Sequence, residues 1–197
     1  MRVLSWNIQW GRGIDGRVDL ARTAAVIRDA DADVVCLQEV AVNHPGLPGG
    51  AAEDQVARLG ELLPGYASVY AAGSDLIGDT GHGQGGRRLF GQMLLSRLPL
   101  LQVFRHLLPF PPDPAVPAMQ RVALEAVIAA PNVTWGPLRV VTTHLEYYSA
   151  LQRAAQVEFL RELQALGHRH AVAPRSEAET DPPFAVLPRG EGCVLCG

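Results

Sequence analysis

The amino-acid sequence has no excess of positive charge: its 197 residues include 17 basic and 20 acidic ones, which gives a formal net charge of −3. A protein dedicated to nucleic acids usually carries a clear basic excess, because neutralising phosphates drives its affinity. The charge balance therefore argues against long duplexes as ligands. It leaves a small phosphoester open as a ligand.

Long hydrophobic runs are also missing, because the apolar stretches are short and are broken by charged residues, glycine or proline. We therefore predict no membrane span. A signal peptide is not expected either, since its removal would take the first strand with it. There are only 3 cysteines, Cys36, Cys193 and Cys196. An odd, low number is more typical of a reducing compartment than of a disulfide framework, so a cytoplasmic location is expected.

The composition of the chain is that of an ordinary globular protein, with 48% hydrophobic residues. Its length suits one α/β domain over residues 1–197. Apolar runs predict strands, and amphipathic patterns predict helices. The predicted strands are 2–10, 34–37, 66–70, 89–96, 100–108, 122–129, 138–145 and 193–196, and the predicted helices are 19–30, 52–63 and 149–166. This order predicts two sheets packed face to face, with helices outside.

The long helix that begins after Ser149 has a buried stripe in this interpretation, formed by Leu151, Ala155, Phe159 and Leu163. The polar residues between them, Arg153 and Gln156, are interpreted as its solvated face.

Polar residues stand where strongly apolar strands end. Asn7 lies in the first strand, Glu39 closely follows the strand at 34–37, and His144 follows the apolar run at 138–143. A buried carboxylate without a partner is costly, so Glu39 needs a cation or contact with water. Because Mg²⁺ takes oxygen ligands from carboxylates, water and phosphate, Glu39 and the side-chain oxygen of Asn7 could begin a metal site.

Two further side chains have phosphate chemistry. His144 can stabilise or protonate a phosphoryl oxygen, and the planar guanidinium of Arg121 can bind phosphate through paired hydrogen bonds. Each candidate also has an ordinary structural interpretation. Asn7 can cap a turn, Glu39 can begin a solvated loop, His144 can be hydrogen-bonded at a sheet edge, and Arg121 can be a surface residue that leads into a strand.

Taken together, five short motifs resemble the endonuclease/exonuclease/phosphatase superfamily, which includes DNase I-like nucleases, inositol polyphosphate phosphatases and sphingomyelinases. The motifs are 4–8 (LSWNI), 35–40 (VCLQEV), 91–99 (GQMLLSRLP), Arg121 before its strand, and 142–145 (TTHL). They follow the order and spacing of the family and cover nearly the whole chain. Gln92 departs from the pattern, because the family more often has asparagine there.

The resemblance implies a DNase I-like four-layer α/β sandwich, in which two packed mixed sheets carry helices outside and the site lies at one end. It implies that Glu39 binds a catalytic Mg²⁺ or Mn²⁺ ion and that Asn7 helps to organise the metal and the phosphate. It further implies that Arg121 contacts phosphate and that His144 stabilises or protonates the scissile phosphoryl group.

The function implied by the resemblance is metal-dependent hydrolysis of a phosphoester, by a nuclease, phosphodiesterase or phosphatase. The substrate class stays open among small molecules, lipid headgroups and nucleic acids. No obligate protein partner is indicated.

The end of the sequence departs from the family pattern. The family continues with Gly-Asp-Phe-Asn and a later Ser-Asp-His element, whereas this sequence stops at Gly197. We therefore expect a domain that lacks its C-terminal part, with impaired activity, because these groups act together. The alternative is a non-catalytic fragment or an interaction domain. In either case the last strand is expected to expose apolar surface.

Overall fold

The computed structural model describes residues 1–78, 86–130, 136–173 and 189–197. Within these ranges the chain forms nine strands and three α-helices. In chain order the elements are β1 (Val3–Asn7), α1 (Leu20–Ala30), β2 (Val34–His44), β3 (Ala51–Asp54), α2 (Gln55–Leu62), β4 (Ala67–Ile77), β5 (Arg87–Ser96), β6 (Leu100–Leu107), β7 (Val122–Ile128), β8 (Leu138–Thr143), α3 (Ala150–Val172) and β9 (Cys193–Cys196).

The strands form two mixed sheets. The first has the order β1-β2-β5-β4, with β3 also paired to β2; β1 runs parallel to β2, and the other pairs are antiparallel. The second has the order β6-β7-β8-β9, in which only β9 is parallel to its neighbour, among the residues described. β3 was not predicted, because three of its four residues, 52–54, were assigned to the following helix.

Strand β2 is apolar on both faces because it is covered on both. Val35 and Leu37 pack with Ile27 of α1 in one core, whereas Val34 and Cys36 lie in the core between the two sheets. A strand buried on both faces carries a continuous apolar run instead of an alternating one. The inter-sheet core is completed by Ala71, Leu94, Val122, Leu124, Ala126, Ile128, Leu138 and Val140.

Helix α3 covers the outer face of the second sheet. Its Leu160 and Leu163 pack against Ala123 of β7 and Val141 of β8. With α1 and α2 outside the first sheet, the layers are helix, sheet, sheet and helix. The four-layer α/β sandwich expected from the sequence is therefore confirmed.

Helices α1 and α3 begin directly after Asp19 and Ser149, the residues that the sequence predicts as their caps. The carboxylate of Asp19 accepts a hydrogen bond from the backbone N–H of Arg22, and the hydroxyl of Ser149 accepts one from the N–H of Gln152. Helix α3, however, continues to Val172, past the end predicted at residue 166. A Cβ at Gly167 would lie 2.0 Å from the guanidinium of Arg139, so any larger residue there would displace Arg139 from its contacts. No helix in the described part of the chain is long and apolar enough to cross a membrane.

A buried ionic network joins the second sheet to α3. Arg139, which is 1% exposed, donates from Nε to Glu125 at 2.6 Å and from Nη1 to Gln164 of α3 at 3.0 Å. The other oxygen of Glu125 lies 2.9 Å from Nε2 of His106. Burial raises the pKa of Glu125, but the hydrogen bonds from His106 and Arg139 outweigh it and hold that pKa below its ordinary value. Glu125 is thus ionised in the core.

Apolar surface is exposed beside β9. Leu195 of β9 is 54% exposed. Together with Leu145, Val157 and Leu160 it lines an open groove of about 870 Å³ between β9 and α3.

The network predicts a large loss of stability when its carboxylate is neutralised. Glu125→Gln leaves the buried charge of Arg139 without its counter-ion, so we expect the free energy of unfolding to fall by about 3 kcal/mol. Glu158→Gln is the matched control, because Glu158 pairs with Arg161 on the exposed face of α3, where such a pair contributes less than about 1 kcal/mol. Urea unfolding of the three proteins measures both changes. Equal unfolding midpoints for Glu125→Gln and the control would contradict the prediction.

Candidate active site

Glu39 lies at a β-bulge in the middle of β2. The pairing of β2 with β5 shifts register between Leu37 and Val40, and both of these residues belong to the core under α1 and α2. Glu39 is the extra residue, and its φ of 59° lies in the left-handed region that is uncommon outside glycine. Bulges redirect side chains near functional sites, and such backbone strain costs about 1–3 kcal/mol. Here the bulge directs the carboxylate towards β1 and the end of β8.

Three of the predicted site residues meet at this point. The side-chain N–H of Asn7 donates to Oε1 of Glu39 at 3.1 Å, and Nδ1 of His144 lies 3.4 Å from the same oxygen. The residues come from β1, β2 and the segment after β8, and they are far apart in the sequence. Asn7 also caps a turn, since its Oδ1 accepts a hydrogen bond from the N–H of Gln9 at 3.0 Å. The ordinary structural interpretation of Asn7 as a turn cap is therefore correct, and the same side chain also contacts Glu39.

The surroundings of His144 favour its neutral form. Burial is the main effect that lowers the pKa of His144, and the positive charge of Arg121 lowers it further, whereas the carboxylates of Glu39 and Glu146 raise it. Nδ1 is buried and has no hydrogen-bond partner among the described residues. A neutral imidazole can both accept a proton and donate a hydrogen bond, which suits a group next to a reacting oxygen.

Arg121, the fourth predicted residue, is held close to the others by the pairing of β7 with β8, which places Ala123 opposite Thr143. Its Nε donates to Oε2 of Glu146 at 3.0 Å, and the two side chains are 10% and 1% exposed. In the described part of the chain this is the only hydrogen bond of the guanidinium. Its two Nη groups are thus left to bind an anion.

Two residues of α3 that support the site were interpreted wrongly from the sequence. Gln156 is fully buried, accepts a hydrogen bond from the N–H of Glu146 at 2.8 Å and donates one to the carbonyl of Pro109. Arg153 donates to the carbonyls of Glu146 and Tyr147, both at 2.8 Å. They do not form a solvated face, because they hold the loop that follows His144.

The buried stripe of α3 is accordingly different from the predicted one. The buried residues of the helix are Gln152, Gln156, Leu160 and Leu163, and the predicted Leu151 is 54% exposed. The error arose because inward-facing glutamines do not register in a hydrophobic pattern. Consecutive members of the buried series Gln152, Gln156, Leu160 and Leu163 are three or four residues apart. This helical spacing is the signal that could have revealed the two glutamines.

Gln92 lies on β5, in the strand that pairs with the bulged part of β2. It is 3% exposed, and its Oε1 is a buried acceptor that has no partner among the described residues. An unsatisfied buried acceptor is unfavourable and often marks a place where an ion, a water molecule or a substrate binds.

The residues present fit a weakly held Mg²⁺ or Mn²⁺ ion. No group of three or more His, Cys, Asp and Glu side chains in the described part of the chain could hold a metal by itself. Mg²⁺ does not need such a group, since it commonly uses one or two carboxylates and fills its other positions with water and phosphate. The carboxylate of Glu39, 3.1 Å from the side-chain amide of Asn7, is a ligand of the kind that this coordination uses.

Comparison with known proteins gives the following matches. The sequence profile of the Endonuclease/Exonuclease/phosphatase family matches residues 4–173. A crystal structure of an endonuclease/exonuclease/phosphatase from Beutenbergia cavernae DSM 12333 superposes with a TM-score of 0.61 at 32% identity, and the match covers 86% of this chain and 44% of that one. Enzymes of this family in general use divalent metals.

Two more distant structures share the fold. ANGEL2, described as a 2',3'-cyclic phosphatase, has a TM-score of 0.58 at 22% identity, with 85% of this chain and 48% of that chain covered. TDP2 from D. rerio, in complex with a single-strand DNA product, has a TM-score of 0.51 at 21% identity, with 84% and 53% covered. The chain thus spans about half the length of these structures. Among curated proteins, the comparison finds no match.

The charges around His144 predict how its titration responds to substitution. The imidazole should titrate below 6.5 in metal-free protein, because burial and Arg121 disfavour its charged form. Glu39→Gln should lower the pKa further, since it removes a carboxylate that stabilises the imidazolium. NMR titration of the His144 ring measures both effects. A pKa at or above 6.5 in the wild type, or an upward shift in the variant, would show that the assigned causes are wrong.

Proposed function

Because the chain belongs to the endonuclease/exonuclease/phosphatase family, we propose that its site hydrolyses phosphoester bonds with the help of a divalent metal ion. The observation that carries this proposal is the meeting of Glu39, Asn7 and His144 at one end of the sandwich. A carboxylate 3.4 Å from an imidazole nitrogen and 3.1 Å from an amide combines an anchor for a hard cation with a group able to move a proton.

Each side chain has a distinct part in this proposal. Glu39 holds Mg²⁺ or Mn²⁺, and Asn7 organises the ion and the adjacent phosphate. When bound, the ion supplies Lewis acidity at a phosphoryl oxygen. Arg121 binds another phosphate oxygen through its Nη groups. His144 donates a hydrogen bond or a proton to the phosphoryl group at which charge develops.

The relatives support a phosphoester as substrate, although they leave its class open. ANGEL2 is named as a phosphatase of 2',3'-cyclic phosphates, and TDP2 holds a single-strand DNA product. A cyclic phosphate and single-strand DNA both contain phosphoester bonds, and both proteins share the fold of this chain. The net charge of −3 favours small or single-stranded phosphoesters over long duplexes.

The first test concerns the metal. Wild-type protein should bind Mn²⁺ in titrations followed by electron paramagnetic resonance, and Glu39→Gln should bind it about tenfold or more weakly, because the carboxylate proposed to hold the ion loses its charge. Glu61→Gln serves as the matched control, since Glu61 is an exposed glutamate paired with Arg58 on α2. Equal Mn²⁺ affinity in wild type and Glu39→Gln would overturn the assignment of the metal site.

The second test concerns catalysis. The chain is assayed with Mg²⁺ and with Mn²⁺ against single-stranded DNA, RNA with a 2',3'-cyclic phosphate end, a phosphoinositide, a phospholipid and a generic aryl phosphodiester. For any substrate that turns over, His144→Gln should lower kcat about 100-fold or more, the usual contribution of a positioned acid or base, with unchanged Mn²⁺ affinity. An unchanged kcat would remove His144 from the mechanism. No metal-dependent turnover of any substrate would favour the non-catalytic alternative.

A further inference from the structure

We propose that Glu146 is the positioning residue that orients Arg121 for phosphate binding. The inference rests on the proposed function and assigns a role to a side chain that would not contact the substrate itself. Glu146 follows His144 by two residues and is 1% exposed. A carboxylate buried to this extent needs partners, and the geometry of those partners carries the proposal.

Both oxygens of Glu146 are fixed by the backbone as well as by Arg121. Oε1 accepts a hydrogen bond from the N–H of Tyr148 at 3.0 Å. Oε2 accepts one from the N–H of Met119 at 3.4 Å and one from Nε of Arg121 at 3.0 Å. Because two main-chain donors hold the carboxylate, it cannot move to follow the long side chain of Arg121. The guanidinium is therefore oriented by the carboxylate.

The main chain of Glu146 is fixed in turn by α3. Its N–H donates to the buried side chain of Gln156, and its carbonyl accepts from Nη1 of Arg153, each at 2.8 Å. Burial raises the pKa of Glu146, but the hydrogen bonds from Tyr148 and Arg121 dominate and bring that pKa below its ordinary value. Glu146 is consequently both immobile and ionised.

The orientation of Arg121 matters because a planar guanidinium binds phosphate only along its edges. The bond to Glu146 uses Nε and leaves both Nη groups for an anion. The antiparallel pairing of Ala123 with Thr143 places Arg121 beside the segment that carries His144, and the charge of Arg121 contributes to lowering the pKa of His144. Positioning of this kind lowers the entropy lost when a ligand binds.

Glu146 also has an effect on phosphate binding that opposes the benefit of orienting Arg121. Its negative charge partly neutralises Arg121 and would by itself weaken anion binding. The two effects can be separated, because Glu146→Asp keeps the charge but shortens the side chain, whereas Glu146→Gln removes the charge and keeps the length. A positioning role predicts weaker phosphate binding in Glu146→Asp; a purely electrostatic role predicts no change there and tighter binding in Glu146→Gln.

The experiment measures the dissociation constants of inorganic phosphate and of Mn²⁺ for the full chain. Phosphate is titrated in the presence of Mg²⁺ by calorimetry, and Mn²⁺ is titrated alone by electron paramagnetic resonance. We expect about tenfold weaker phosphate binding in Glu146→Asp, as is typical when a supporting partner of a site residue is disturbed. The affinity for Mn²⁺ should not change. Glu158→Gln, which alters an exposed glutamate of α3, should match the wild type in both titrations.

The outcomes separate this inference from the proposed function. Unchanged phosphate and Mn²⁺ affinities in Glu146→Asp overturn the positioning role while leaving the proposed function standing. If the wild type itself binds neither ligand, the proposed function fails, and the positioning role fails with it. If Glu146→Asp does not unfold cooperatively, Glu146→Gln decides: weaker phosphate binding with unchanged Mn²⁺ affinity supports the role, and equal or tighter phosphate binding overturns it.

Discussion

The site depends on the alignment of the two sheets, and a buried amide fixes that alignment. Nε2 of Gln38 on β2 donates to the hydroxyl of Thr142 on β8 at 2.9 Å, across the inter-sheet core. Gln38 is 1% exposed and Thr142 is fully buried, so sliding one sheet over the other would leave polar groups unsatisfied in an apolar layer. Glu39 is the next residue after Gln38, and His144 lies two residues after Thr142. The same register therefore sets the distance between carboxylate and imidazole.

The bulge at Glu39 is the second feature, besides the alignment of the sheets, that brings the carboxylate to Asn7 and His144. Without an extra residue, the alternation of β2 would direct position 39 towards the core under α1 and α2, which contains Leu37 and Val40. A carboxylate there would be buried without a cation, at a cost well above the strain of a positive φ. The bulge avoids this burial and brings the carboxylate to Asn7 and His144. The backbone strain at Glu39 thus costs less free energy than burying its carboxylate without a cation would.

Much of the fold could be predicted from the sequence, because the spacing of apolar residues indicates where strands and helices lie. The two-sheet sandwich was predicted, and the proximity of Asn7, Glu39 and His144 was expected from the motifs. The bulge was not foreseen, since one extra residue in an apolar strand changes no pattern that the sequence displays. Glu146 was also missed, because the proposed role depends on three hydrogen bonds from donors in two separate loops, one before β7 and one after β8. Contacts of this kind arise only after the sheets have packed.

Helix α3 shows how one element serves both the core and the site. Its first turns face the loops with polar side chains: Ser149 bonds Asp113, and Gln156 bonds the main chain of Glu146. Further along, Leu160 and Leu163 pack on the second sheet. Hydrogen bonds impose direction, whereas apolar contacts mainly supply free energy. The first turns of α3 bury glutamines instead of apolar residues, which breaks the amphipathic pattern there. Their hydrogen bonds place the loop after His144, which matters more at this end of the helix than apolar burial.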